Sequence, residues 1–159
     1  MEANLQIKFT TCIFFAAVVS LMISPSLQST TSVKYCDKKA NYAVKVEGID
    51  MIPFPIVSGQ PATFKISASS GQAISGGKMS LQVLFLGISV HTESHDICEK
   101  SSCPISAGKF VLSHTQVLPG ITPPGSYTLK MRMTDESNNQ LTCISFNFKI
   151  SSGSYDAAL

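Results

Sequence analysis

Strict alternation of apolar and polar side chains is the feature that most narrows what this chain can become. In SYTLKMRM (126–133), Tyr127, Leu129, Met131 and Met133 fall on one side and Thr128, Lys130 and Arg132 on the other. LTCISFNFKI (141–150) repeats the pattern with Ile144, Phe146, Phe148 and Ile150. A period of two belongs to a strand with one buried face, whereas a helix needs apolar residues every three or four. YAVKVEGI (42–49) sets Tyr42, Val44 and Val46 against Lys45 and Glu47, and ATFKISA (62–68) alternates around Phe64 and Ile66. GKMSLQVLFLGISV (77–90) starts with Met79, Leu81 and Val83, turns apolar on both faces through Leu84, Phe85 and Leu86, and reads as the longest strand. KFVLSHTQVL (109–118) is a further extended run, and no window holds a helical stripe. DESNNQ (135–140) predicts a hairpin turn, while Pro53, Pro55, Pro119, Pro123 and Pro124 confine their segments to loops or sheet edges. Roughly seven short strands in about 120 residues predict an all-β, two-sheet sandwich.

The N-terminus sets the compartment. Lys8 supplies a thin basic start, and residues 10–23 form an apolar run that is short for a bilayer span and suits a signal peptide. Ser24, Pro25, Ser26, Ser29 and Thr30 follow as a cleavage region would, so residues 1–29 are expected to be removed, with the bond between Leu27 and Thr31. Cys12 leaves with this segment. It carries one acid, Glu2, and one base, Lys8, so the remaining chain keeps the formal charge of +2. Such a weak charge without a basic cluster argues against nucleic acid as a partner. The remaining length suits one domain, expected over 33–150, with 151–159 (SSGSYDAAL) as a flexible tail. No N-x-S/T acceptor for glycosylation occurs.

Four cysteines then remain: Cys36, Cys98, Cys103 and Cys143. An even number in a secreted chain reads as disulfides, with three connectivities open. A four-thiolate zinc site prefers two close pairs, but Cys36 and Cys143 stand alone near opposite ends. A redox pair prefers C-x-x-C at the start of a helix, and CEKSSCPI (98–105) has four intervening residues and a following proline. The expected pairing is local for Cys98–Cys103 and terminal for Cys36–Cys143.

A search for catalytic groups finds none. His91, His95 and Asp96 in HTESHD are candidate metal ligands by residue type, but on a strand positions four apart are about 13 Å apart, too far to share an ion. In a loop they read as exposed polar residues. Asp135 and Glu136 sit at the predicted turn, where solvated charge explains them. There is no G-x-S-x-G, no H-E-x-x-H and no phosphate-cradling glycine loop. The expectation is a non-enzymatic protein without metal or cofactor.

Several elements together resemble the ML (MD-2-related lipid-recognition) domain family, Niemann–Pick C2-like, and within it the plant proteins described as phosphatidylglycerol/phosphatidylinositol transfer-like. The elements are YC (35–36), FLGISV (85–90), IC-x4-CPI (97–105), PPGSYTLKMRMTDES (123–137) and LTCISFNFKI (141–150). The stretch VEGIDMIPFPIVSGQPATF (46–64) resembles the plant members in particular. One departure is that residues 47–62 hold no cysteine where the animal sterol carrier has an additional disulfide, which bears on the ligand more than on the fold.

On the residues alone, the inward faces fill a closed core as readily as they line a cavity. The resemblance implies the second: an immunoglobulin-like two-sheet sandwich whose sheets part to leave an apolar, lipid-binding cavity lined by Phe64, Ile66, Val83, Phe85, Leu129, Met131, Phe146 and Phe148. It places the mouth near Val90 and His91 and at Pro119, Pro123 and Pro124. It implies a monomeric carrier of a sterol or phospholipid, transient contact with membranes, and a secreted or endomembrane-lumen address. The alternative it implies is a secreted module that presents lipid to a receptor.

Overall fold

The computed structural model describes residues 29–153, so the expected signal segment lies almost wholly outside the described residues. Ten strands and one short helix follow in order: β1 (Ser29–Thr31), β2 (Lys34–Tyr35), β3 (Val44–Ile52), β4 (Ile56–Val57), β5 (Pro61–Ser70), β6 (Lys78–Phe85), β7 (Ile88–Asp96), α1 (Ile97–Lys100), β8 (Gly108–Val117), β9 (Gly125–Thr134) and β10 (Gln140–Ser151). They form two sheets, one ordered β1-β3-β5-β8 and the other β2-β10-β9-β6-β7, with β4 alongside β10 in parallel. The long strands alternate in burial as their sequences alternate in polarity; in β9, Tyr127, Leu129, Met131 and Met133 are buried. Two apolar faces meet, giving an all-β sandwich.

Three expectations need correcting. Residues 77–90 are not one strand but a hairpin: Leu86 and Gly87 both take positive φ, 51° and 82°, and turn the chain between β6 and β7. The apolar run hid that turn, because only Gly87 punctuates it. HTESHD (91–96) is not a loop but most of β7, an outer strand whose polar sequence reflects one edge and one face turned to water. The sequence reading also missed three short strands, β1, β2 and β4, of two or three residues each. The expected tail begins with Ser151 as the last residue of β10, and residues 154–159 lie outside the described residues.

Covalent and polar ties hold the rim. Cys36–Cys143 joins the chain after β2 to the middle of β10, closing a separation of 107 residues. In the chain-entropy model a loop of that length contributes about 4–5 kcal/mol. Cys98–Cys103 staples α1 to the segment before β8. The turn between β9 and β10 is organised by Asp135, whose carboxylate accepts from the Ser137 and Asn139 amides and from Asn139 Nδ2 at 2.8–2.9 Å. Those bonds favour the ionised carboxylate, and the bond from the Asn139 side chain is the foremost in holding Asp135 below its ordinary range.

Candidate functional site

The outer strands β7 and β8 belong to different sheets, and among the described residues no strand bridges them. The sheets part beside them, leaving an apolar cleft of about 470 Å³. Its inner wall is a row of aromatic rings set by strand register. Phe85 of β6 lies opposite Tyr127 of β9, which lies opposite Phe148 of β10. The rings stack at 4.6 Å and 5.6 Å between centroids, and Phe64 of β5 meets Phe148 edge-on at 5.7 Å from the facing sheet. Leu81, Val83, Leu129 and Ile150 fill the spaces between, and the loop from Leu118 to Pro123 forms the lip. Gly125 makes the tight approach possible: a Cβ there would stand 2.9 Å from the Phe85 ring.

The lip is tied down. Gly59 N–H donates to the Leu118 carbonyl at 3.1 Å, and Ser58 Oγ donates to the Thr122 carbonyl at 2.8 Å. Tyr127 Oη donates to the Pro123 carbonyl at 2.8 Å, and burial pushes its phenol pKa up. Around the opening stand apolar side chains that water reaches. Leu86 is 83% exposed at the hairpin tip and Ile121 is 92% exposed on the lip, with Ile88, Val90 and Val117 beside them.

Of the side chains expected to line a cavity, Phe64, Val83, Phe85, Leu129 and Phe148 border the cleft. Ile66, Met131 and Phe146 do not: they are buried where the sheets close, Phe146 with its ring 6.3 Å from those of Phe64 and Phe148. Of the expected mouth residues, Val90, His91, Pro119 and Pro123 reach the opening, whereas Pro124 has already turned toward β9. Leu81, Tyr127 and Ile150 share their strands' inward faces, which alternation shows, but alternation does not separate them from core residues.

Glu93 and His114 border the cleft too, and sequence reasoning missed both. On β7, residues 91, 93 and 95 share a face. Glu93 therefore sits between the two histidines, with His91 Nε2 at 3.5 Å and His95 Nε2 at 3.3 Å from Oε2. His114 approaches from β8, across the gap between sheets, placing Nε2 2.9 Å from Glu93 Oε1. Burial works to raise the Glu93 carboxyl, but His114, His91 and His95 outweigh it and hold the group below its ordinary range. Burial lowers the His114 imidazole, with Lys100 and His95 adding to that, against the opposing pull of Glu93. Asp96 turns away and accepts the Cys98 amide at 2.7 Å, capping α1. A second hollow, about 210 Å³, lies at the far end between residues 72–76 and 135–137 and is largely polar.

Residues 30–150 match the family model described as the ML domain. A Dictyostelium discoideum protein, provisionally named a phosphatidylglycerol/phosphatidylinositol transfer protein, is 33% identical over 116 residues, 70% of this chain and 80% of the relative. The MD-2-related lipid-recognition protein ROSY1 of Arabidopsis thaliana is 28% identical over 141 residues, 84% of this chain and 85% of the relative. Among solved structures, a Niemann–Pick type C2 protein from the Japanese carpenter ant superposes with a TM-score of 0.51 at 14% identity, covering 81% of this chain and 96% of that one. The fold matches, and the family model spans all but the first and the last residue of the two sheets together: this chain belongs to the ML-domain family.

Proposed function

We propose that the protein is a non-enzymatic lipid carrier of the secretory pathway, which holds one sterol or phospholipid in the cleft between its sheets and exchanges it with membranes. The observation that carries this reading is the cleft itself, a space of about 470 Å³ walled by aromatic and aliphatic side chains. That volume falls among those of pockets that enclose single small ligands, roughly 300–1,000 Å³. A lipid that buries about 500 Å² of apolar surface gains roughly 12 kcal/mol. Association costs of about 4–15 kcal/mol stand against it, leaving an affinity weak enough for release. The names of the relatives, a phosphatidylglycerol/phosphatidylinositol transfer protein and a lipid-recognition protein, support the same class of ligand.

The exposed apolar rim supports the membrane step. Val90, Val117 and Ile121 border the opening, and Leu86 and Ile88 continue the exposed apolar surface on the β6–β7 hairpin next to Phe85 and Val90, so a carrier resting on a bilayer by this end would face its mouth toward the lipids. No reactive group is needed for exchange, and two disulfides suit an oxidising lumen or the extracellular space. Presentation of the lipid to a receptor is the alternative, with the same rim as the contact surface.

The test begins by extracting the purified protein with organic solvent and identifying any co-purified lipid by mass spectrometry. Transfer of that lipid between donor and acceptor vesicles is then followed by fluorescence. One lipid per chain and protein-dependent transfer are expected. A protein that takes up neither sterol nor phospholipid from vesicles would refute the carrier reading.

A further inference from the structure

Beside the cleft, Glu93, His95 and His114 each offer a donor atom, and the three atoms lie within 4.8 Å of one another. His114 is only 7% exposed, and neither of its ring nitrogens has a partner in hydrogen-bond geometry; His95 Nε2 lacks one as well. Buried polar nitrogens normally find aligned partners. Here the Glu93 carboxylate is close, at 2.9 and 3.3 Å, but off hydrogen-bond alignment, and His114 Nδ1 has no partner, an arrangement that suits a cation shared by the three side chains. The donor set also selects. Two imidazoles and a carboxylate suit a borderline divalent ion such as Zn²⁺, and three protein ligands leave a fourth position for water.

We propose that Glu93, His95 and His114 form a divalent transition-metal site, most suited to Zn²⁺, which clips β7 to β8 along the open side of the cleft. A tetrahedral ion with bonds of about 2.0–2.2 Å needs donors roughly 3.3–3.6 Å apart. The 3.3 Å and 2.9 Å contacts from Glu93 to His95 and His114 already lie near that spacing. The remaining adjustment falls on side-chain torsions of residues on the outer strands. His91, half exposed and 3.5 Å from Glu93, lies outside this group of donors, so the fourth position falls to water. Lys100, whose charge reaches His114, opposes a cation, and the Glu93 carboxylate offsets it. The ion would join two sheets at edges that no strand among the described residues bridges, and it would fix a wall to which Glu93 and His114 both contribute.

The test uses the full mature chain stripped with chelator and titrated with zinc chloride near neutral pH by calorimetry, with Co²⁺ absorption reporting the coordination geometry. Expected are one equivalent bound in the micromolar range or tighter, tetrahedral Co²⁺ bands, and a melting temperature raised by about 5 °C or more at zinc 100-fold above Kd. Glu93→Gln and His95→Gln should each weaken binding by about tenfold or more, and Asp96→Asn should leave it unchanged. His114→Gln should act likewise, and the half-buried His95 carries the test should the deeper variant fold poorly. Binding weaker than about 100 μM, or equal affinity in Glu93→Gln and His95→Gln, would overturn the proposal. Metal alone is the probe, so the result stands apart from whether lipid binds.

Discussion

Replacing Leu86 with Asn and Ile121 with Ser removes the two most exposed apolar side chains at the cleft opening. Burying a Leu or Ile side chain in an apolar environment yields about 1.5–3 kcal/mol. Scaling the lower value by the exposed fractions, 83% and 92%, gives about 2.6 kcal/mol for the pair, close to a hundredfold in membrane partitioning. Asn suits position 86 because Leu86 has φ 51°, a region Asn enters more readily than Leu. Neither side chain is packed, so folding stability should change by no more than about 0.5 kcal/mol. The assay is co-sedimentation with vesicles, run beside binding of a soluble fluorescent fatty acid that needs no membrane. Partitioning and vesicle-to-vesicle transfer should fall together while soluble binding holds. Unchanged partitioning in the double variant would refute membrane docking through this rim.

Further outcomes follow from other parts of the molecule. Val83→Phe points a larger ring into open cleft volume and should weaken lipid binding at least about tenfold with the melting temperature nearly unchanged; Met131→Trp, in the closed core, should instead cost about 1–3 kcal/mol, read by thermal melts of both. The His114 pKa is depressed in the folded state, so the unfolded chain binds more protons; with metal chelated, stability is complete above pH 6.5 and declines as pH falls below it. Glu93, held below its ordinary 4.5, adds a second decline under that pH, and His114→Gln should flatten the first when melting temperature is followed against pH. Gly77→Ala drives a Cβ into the Thr134 carbonyl oxygen at φ +139° and should cost at least about 2 kcal/mol by denaturant titration.

Alternation along the chain revealed which face of each strand turns inward, and that sufficed for the sandwich; the β9–β10 turn came from DESNNQ, and Phe64, Leu129 and Phe148 as wall residues came from the family resemblance. It carries no information on depth between the sheets. Ile66, Met131 and Phe146 obey the same period as their cleft-lining neighbours, yet lie where the sheets have closed. The β6–β7 hairpin was hidden for a related reason: its tip is apolar because it stands at the opening, and so lacks the polar turn signal that DESNNQ supplies elsewhere. The Glu93–His95–His114 group was illegible from local spacing. HTESHD read as a loop loses the period of two that puts 91, 93 and 95 on one face, and His114 arrives from the other sheet, 19 residues beyond His95. Cysteine pairing was legible because one pair is adjacent in the chain.

The two lips of the opening differ in stiffness. One is the segment from Leu118 to Pro123, moored to Ser58, Gly59 and Tyr127 by hydrogen bonds from three directions. The other is the hairpin at Leu86 and Gly87, which ends an outer strand and has open space around Gly87. Such an opening has one moored side and one less tied, so widening for a bulky ligand is expected at the hairpin tip while the moored side keeps its shape. Loading is then one-sided: a crosslink that pins the hairpin to the lip stops exchange, and one that ties Ser58 to Thr122 leaves it running.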